Sequence, residues 1–264
     1  MISDFIEGQG LVLEVSESET RRFGFRVTRI AVPIGEAISD EQIVTAVLTS
    51  GSQLVILRAD ERRDRLENLL RASAASECLL ADTLVYYRWD PAHEGPATSR
   101  RSRLKIDIED SVEDVIPTLI ESFKNYQNHY SANPLLAQSV TITAYEEWAT
   151  NLMKQPSSRL FVARDDERRN VLGFVLLQID DRSRICEVVL NAVHPSARRM
   201  GVYSSLLTTA RRYVTELQSI DWLYISTQSG NAAVVAAWRK LGLQPFLRLN
   251  TFHVMQQTAS LRHH

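Results

Sequence analysis

Residues 187–207 constrain this chain more than any other stretch. In order they give an apolar run at 188–193, stopped by Pro195, then the basic-glycine segment Arg198-Arg199-Met200-Gly201, then the opening of an amphipathic helix. A buried strand that turns directly into a helix sets the helix's unpaired N–H groups, and the positive end of its dipole, at the strand exit. Such a terminus binds phosphate, and neighbouring arginines add charge. An ordinary strand-to-helix turn with solvated arginines has the same letters, so the flanking segments must decide.

Those segments alternate in an α/β order. Strands are expected over 159–165, 171–179 and 185–193, joined by charged turns at 166–169 and 180–184, and such short connections imply antiparallel neighbours. Helices are expected over 111–126, 141–153, 200–217 and 231–241, the last ended by Gly242. Pro117 falls in the middle of the first and predicts a kink or an early stop near Ile116. Residues 126–138 read as irregular or loosely helical, 104–108 and 222–226 as strands, and 244–254 as one or two more. Upstream, 23–33, 53–59 and 79–89 read as strands, and 40–49 and 60–74 as helices, with Ser39 an N-cap. This order suggests a small α/β layer. Pro91, Gly95 and Pro96 mark a linker. The expected division is a small α/β domain at 1–91, a linker at 92–102, a mixed-sheet domain at 103–257 and a tail at 258–264.

With 264 residues, the chain has room for one large domain or two small ones. Its net charge of −2 supplies no global field toward nucleic acid or anionic membrane, so neither is expected as a partner. The pairs Arg62-Arg63 and Arg211-Arg212 and the arginines of 100–103 read as solvated surface. The two cysteines, Cys78 and Cys186, lie in apolar runs without metal-ligand spacing. They read as buried reduced thiols of a cytoplasmic protein without a metal site. No signal peptide or long apolar span is visible. His263-His264 are set aside as the remains of a tag, and the oligomeric state is open between monomer and homodimer.

Arg198-x-x-Gly201-x-Tyr203 resembles the pyrophosphate signature of the GNAT superfamily of N-acetyltransferases, Gln/Arg-x-x-Gly-x-Gly/Ala, with Tyr203 where glycine or alanine is usual. The resemblance implies a GNAT fold, an α/β mixed sheet, behind a smaller, truncated GNAT-like α/β domain. It implies acetyl-CoA as co-substrate, held at Ala192, Val193, Arg198, Arg199, Gly201, Val202, Tyr203 and Ser204. Asn231-Ala-Ala-Val-Val-Ala-Ala-Trp-Arg-Lys-Leu-Gly242 is similar to the family's Asn-x-x-Ala-x-x-x-Tyr-x-x-x-Gly-Phe helix. There the asparagine often bonds the CoA arm and the tyrosine protonates the departing thiolate. Asn231 matches, but Trp238 replaces the tyrosine; an indole N–H is not a usable acid, so Trp238 is expected to contact the cofactor by packing on it or donating a hydrogen bond to its sulfur. The acid then comes from elsewhere, or the thiolate leaves unassisted; a free thiol has a pKa of about 8.5.

Glu187-Val-Val-Leu-Asn-Ala-Val193 resembles the histone acetyltransferase run Glu-Ile-Val-Phe-Cys-Ala-Ile, whose glutamate is the base, so Glu187 is the candidate base. The alternative is a glutamate at the strand's exposed edge or paired with an arginine such as Arg184. Asn128-His-Tyr-Ser-Ala-Asn-Pro-Leu-Leu136, followed by Tyr145-Glu-Glu-Trp148, is similar to the nucleotide-sugar branch typified by dTDP-fucosamine acetyltransferase, as is the early pair Phe23-Gly24. That implies an acceptor region containing His129, a further catalytic candidate, with Tyr130 and Asn133. The alternative is that His129 and Tyr130 cap and pack a helix junction. His253 is a weaker substrate candidate, since a lone strand histidine is usually structural. The expected activity is direct N-acetylation of a small-molecule amine, first an amino-sugar nucleotide. A protein N-terminus or other amine as acceptor, and a non-catalytic acyl-CoA-binding protein, are the alternatives.

Overall fold

The structure is a computed structural model that describes residues 1–90, 104–124, 126, 128–136, 143–167 and 170–256. The expected linker and tail lie outside the described residues. In chain order the elements are α1 (Ser3–Ile6), β1 (Val12–Val15), α2 (Glu17–Phe23), β2 (Val27–Ala31), α3 (Asp40–Thr49), β3 (Leu54–Asp60), α4 (Leu66–Ala72) and β4 (Ser76–Trp89). Then follow β5 (Lys105–Glu109), α5 (Ile116–Phe123), α6 (Thr143–Met153), β6 (Ser158–Arg164), β7 (Val171–Asp180) and β8 (Ile185–Val193). The last are α7 (Val202–Leu217), β9 (Trp222–Gln228), α8 (Ala232–Lys240) and β10 (Gln244–Gln256).

The chain divides into two compact units that are not contiguous in sequence. One comprises Met1–Val85, Gln127–Val140 and Leu247–His264; the other comprises Tyr86–Tyr126 and Thr141–Phe246. A linear split near residue 91 therefore misses two later segments of the first unit.

In the first unit the strand order is β1-β2-β3-β10-β4, with β2 parallel to β3 and antiparallel to β1, and β10 antiparallel to β3. Strand side chains alternate between faces. Ile30, Val55, Leu57, Phe252 and Val254 meet Ile43 and Val47 of α3 and Leu66 and Leu70 of α4 on one face. Val27, Leu54 and Ile56 point the other way, onto Tyr130 and Leu136. Ser39 caps α3 reciprocally with Gln42, as its spacing predicts. The expected strand at 23–33 is shorter than read. Phe23 ends α2, Gly24 adopts φ 75° as its left-handed C-cap, and the strand starts only at Val27.

In the second unit the order is β9-β8-β7-β6-β5. The β5–β6, β6–β7 and β7–β8 pairs are antiparallel, and β8–β9 is parallel. Leu160, Val162, Phe174, Leu176, Leu190 and Ala192 pack under Leu119 of α5 and Ala149 and Leu152 of α6. The other face carries α7, where Tyr213 meets Phe161 edge-on with ring centroids 5.4 Å apart. Pro117 does not kink a helix. It sits in the first turn of α5, after a short 3-10 turn at Glu113–Val115, where a missing N–H leaves no bond unmade. Among the described residues no helix is long and apolar enough to cross a membrane.

Candidate active site

The site begins where β8 leaves β9. The parallel ladder runs from Ile185↔Trp222 to Val188↔Ile225 and stops. On its other side β8 stays paired with β7, but the register skips from Leu176↔Leu190 to Leu177↔Val188, which makes Val189 a bulge. A bulge bends and twists its strand locally. Beyond Val188 the two strands part, so the backbone of 189–193 has no β9 ladder partner among the described residues. At Gly173 of β7 an added Cβ would lie 2.8 Å from the Ala192 carbonyl, so a side chain there would push β8 out of place.

At the exit of β8, Pro195–Ala197 form a 3-10 turn capped by His194, and Arg198 is extended. Arg199 (φ 66°) and Gly201 (φ 84°) are both left-handed, and α7 starts at Val202 with no side chain capping its N-terminus. Arg198 and Arg199 are exposed. Val202 is buried, and the Ser204 hydroxyl donates to the Gly201 carbonyl at 2.9 Å. The turn expected at the pyrophosphate is thus an open, cation-flanked helix start.

Tyr203 and Trp238, the two departures from the family pattern, meet. The Trp238 indole N–H donates to the Tyr203 hydroxyl at 2.8 Å. Trp238 is 1% exposed and packs against Tyr87 with ring centroids 5.4 Å apart. Burial pushes the Tyr203 phenol above its usual range, the Trp238 hydrogen bond pulls it back in part, and Tyr126 pushes it up further. Asn231 is the N-cap residue of α8, but its amide donates to the Thr227 hydroxyl at 3.1 Å instead of capping. Tyr126, whose hydroxyl donates to the Gln228 side-chain oxygen, was not among the sequence candidates. Its partner is remote in sequence, so no local pattern could reveal it.

Glu187 is buried and stands opposite Gln178 of β7 and Tyr224 of β9, one pair before the ladder ends. Arg184 is not its partner, because that guanidinium binds Asp221 through bonds of 2.8 and 2.6 Å.

His129, Tyr130, Asn133 and His253 come together, but inside the first unit and not in the unit that carries the turn. All four are buried. The Tyr130 hydroxyl donates to the Glu19 carboxylate and accepts from Arg29 at 3.0 Å, while Arg29 binds Glu19 at 2.7 and 2.8 Å. Burial raises the Glu19 carboxyl, but the Arg29 charge and the hydrogen bonds outweigh it and bring it down to about 2. Asn133 Nδ2 donates to His253 Nδ1 at 3.2 Å, so His253 carries its proton on Nε2 and donates to His129 Nδ1 at 2.8 Å. Burial lowers both imidazoles, His253 to about 4. The expectation that these residues line an acceptor loop is corrected: α2, β2 and β10 pull that segment into the core of the first unit. Among the described residues no group of three or more His, Cys, Asp or Glu side chains could hold a metal.

Residues 121–243 match the model of the acetyltransferase (GNAT) family. No curated protein matches the chain. Among solved structures, a GCN5-related N-acetyltransferase from Sphaerobacter thermophilus is similar at 12% identity and a TM-score of 0.59, over 96% of this chain and 79% of that one. A tandem GNAT protein from the clavulanic acid biosynthesis pathway is similar at 12% identity and a TM-score of 0.57, over 89% and 79%. A GCN5-related N-acetyltransferase from Kribbella flavida gives 13% and 0.58, over 89% and 83%. At such identities the likeness is one of fold. With a mixed sheet that parts beside an open helix start, this chain has the GNAT fold, and its residues 121–243 are similar to the acetyltransferase (GNAT) family.

Proposed function

We propose that this chain transfers the acetyl group of acetyl-CoA to the primary amine of a small molecule, by direct attack with both substrates bound. The observation that carries the reading is the opening between β8 and β9 that leads to the uncapped start of α7. Unladdered strand backbone can pair with an extended amide-bearing arm, and the helix start can receive a pyrophosphate. Acetyl-CoA has these two parts in that order.

In the reaction the amine nitrogen bonds to the thioester carbonyl carbon and the carbon–sulfur bond breaks. One proton leaves nitrogen and one reaches sulfur, giving an amide and the CoA thiol. Glu187 takes the nitrogen proton, directly or through water. Tyr203 supplies the sulfur proton. Burial keeps its phenol protonated, and the Trp238 N–H stabilises the phenolate formed on transfer. The hydroxyl that α8 lacks is thus provided by α7, which removes the main support for a non-catalytic acyl-CoA-binding protein. An amino sugar remains the first candidate acceptor, with a protein N-terminus the alternative.

Calorimetry with acetyl-CoA, followed by CoA release against a panel of amines, tests the reading. Micromolar binding with release for a small amine is expected. Absence of binding overturns the proposal, and binding without release for any amine favours the acyl-CoA-binding alternative.

A further inference from the structure

Ser122 and Tyr126 link the two parted strands. The Ser122 hydroxyl donates to the carbonyl of Val193, the last residue of β8, at 3.1 Å. The Tyr126 hydroxyl is bonded to Gln228, the last residue of β9. Since the β8–β9 ladder ends at Val188↔Ile225, these residues span an opening that no β8–β9 ladder closes among the described residues.

Three aromatic rings gather on this span. The centroids of Phe123 and Tyr145 lie 4.6 Å apart at 47°, those of Phe123 and Tyr126 5.0 Å apart at 56°, and those of Tyr126 and Tyr145 6.5 Å apart at 78°. Phe123 and Tyr145 back onto the core under α5 and α6, and all three rings are half-buried. The rings touch one another, so no guest fits between them. They form a ledge, and what lies best on a ledge of π faces is another ring, either the C–H face of a sugar or the face of an arene. Tyr126 also lies near enough to Tyr203 to raise its phenol electrostatically, which relates the ledge to the hydroxyl held by Trp238.

We infer that Phe123, Tyr126 and Tyr145 form the acceptor subsite and select a primary amine whose carrier contains a ring over one whose carrier is wholly linear. This rests on the acyl-transfer reading for the use made of the amine, but not for its binding. A linear amine gains only contact area on the ledge. A ring gains stacking as well.

The test is calorimetric binding of glucosamine, 2-phenylethylamine and n-butylamine to the CoA-saturated protein, wild type and Tyr145→Leu. Leucine keeps the apolar contact with the core and removes the π face. The ring amines should weaken by about 3- to 10-fold, the worth of one aromatic contact, and n-butylamine by less than about twofold. Equal weakening of all three, or of none, overturns the subsite. Saturation-transfer NMR on the wild type stands independently of how the variant folds. Saturation reaching the ring protons of glucosamine or phenylethylamine from the protein's aromatic protons supports the subsite and says which ring type is preferred; its absence for both overturns it. Ring-amine binding without CoA release would leave the subsite standing and remove the acetyl-transfer reading.

Discussion

Trp238 Nε1 and the Tyr203 hydroxyl form a 2.8 Å hydrogen bond that joins the start of α7 to α8. The indole can only donate, so the phenol oxygen accepts and its own hydrogen is directed elsewhere. Tyr203→Phe should lower kcat by about 10- to 100-fold, within or below the usual range for a proton donor because a thiolate leaves readily. The Michaelis constant for acetyl-CoA should hold. Burial raises the phenol above its ordinary range, so it stays protonated throughout the working pH range. The loss should therefore be uniform across pH 6 to 9 in a pH–rate profile, with no limb removed. A Tyr203→Phe enzyme with wild-type kcat would assign the donor elsewhere.

Gly201 holds φ 84° at the N-cap of α7, in the left-handed region. A β-branched residue there is strained by roughly 1–3 kcal/mol and would relax by deforming the turn. Gly201→Val should weaken acetyl-CoA by about 5- to 150-fold in calorimetry, that strain converted to affinity at about 1.4 kcal/mol per tenfold. Gly201→Asn, which tolerates this conformation, should weaken it far less. Equal affinity in all three proteins would place the pyrophosphate at another turn.

For Glu187→Gln the expected signature is a fall in kcat with little change in the acetyl-CoA constant, as for a group that acts in the transition state. The acidic limb of the pH–rate profile should disappear with it. An unaltered limb assigns the base to another group.

Acid should weaken the first unit. His253 is pushed from 6.5 to about 4 by burial, so below pH 6.5 the unfolded chain binds a proton that the folded one refuses. Stability then falls as pH drops from 6.5 toward 4, by up to about 3 kcal/mol from this group. Glu19 is lowered to about 2, so its contribution is present above pH 4.5 and is lost between 4.5 and 2. Both act in the same direction. Hydrogen exchange of β2, β3 and β10 should quicken through the first window, and rates independent of pH-corrected chemistry there would contradict the buried neutral pair.

Tyr130→Phe removes the hydroxyl shared by Glu19 and Arg29 and leaves a buried carboxylate short of one donor. A loss of about 1–3 kcal/mol is expected in urea unfolding, with both substrate constants preserved. A selective rise in the amine's Michaelis constant would instead return Tyr130 to the acceptor site.

The sequence by itself determined the features that depend on near neighbours. Apolar runs bounded by charged turns marked β6, β7 and β8, Ser39 marked the start of α3, and the run into Gly201 marked the strand-to-helix turn. These follow from backbone conformation and side-chain period, which a few consecutive residues fix. Tertiary structure decided the remainder. Whether 128–136 faced a cleft or a core depended on Glu19, Arg29 and His253, more than a hundred residues away on either side. The Tyr203–Trp238 pair, 35 residues apart, and the Tyr126–Gln228 pair, 102 apart, arise only once β8 and β9 have parted and α7 and α8 have packed. Burial and long-range hydrogen bonds are properties of the assembled sheet, and no window of sequence contains both partners.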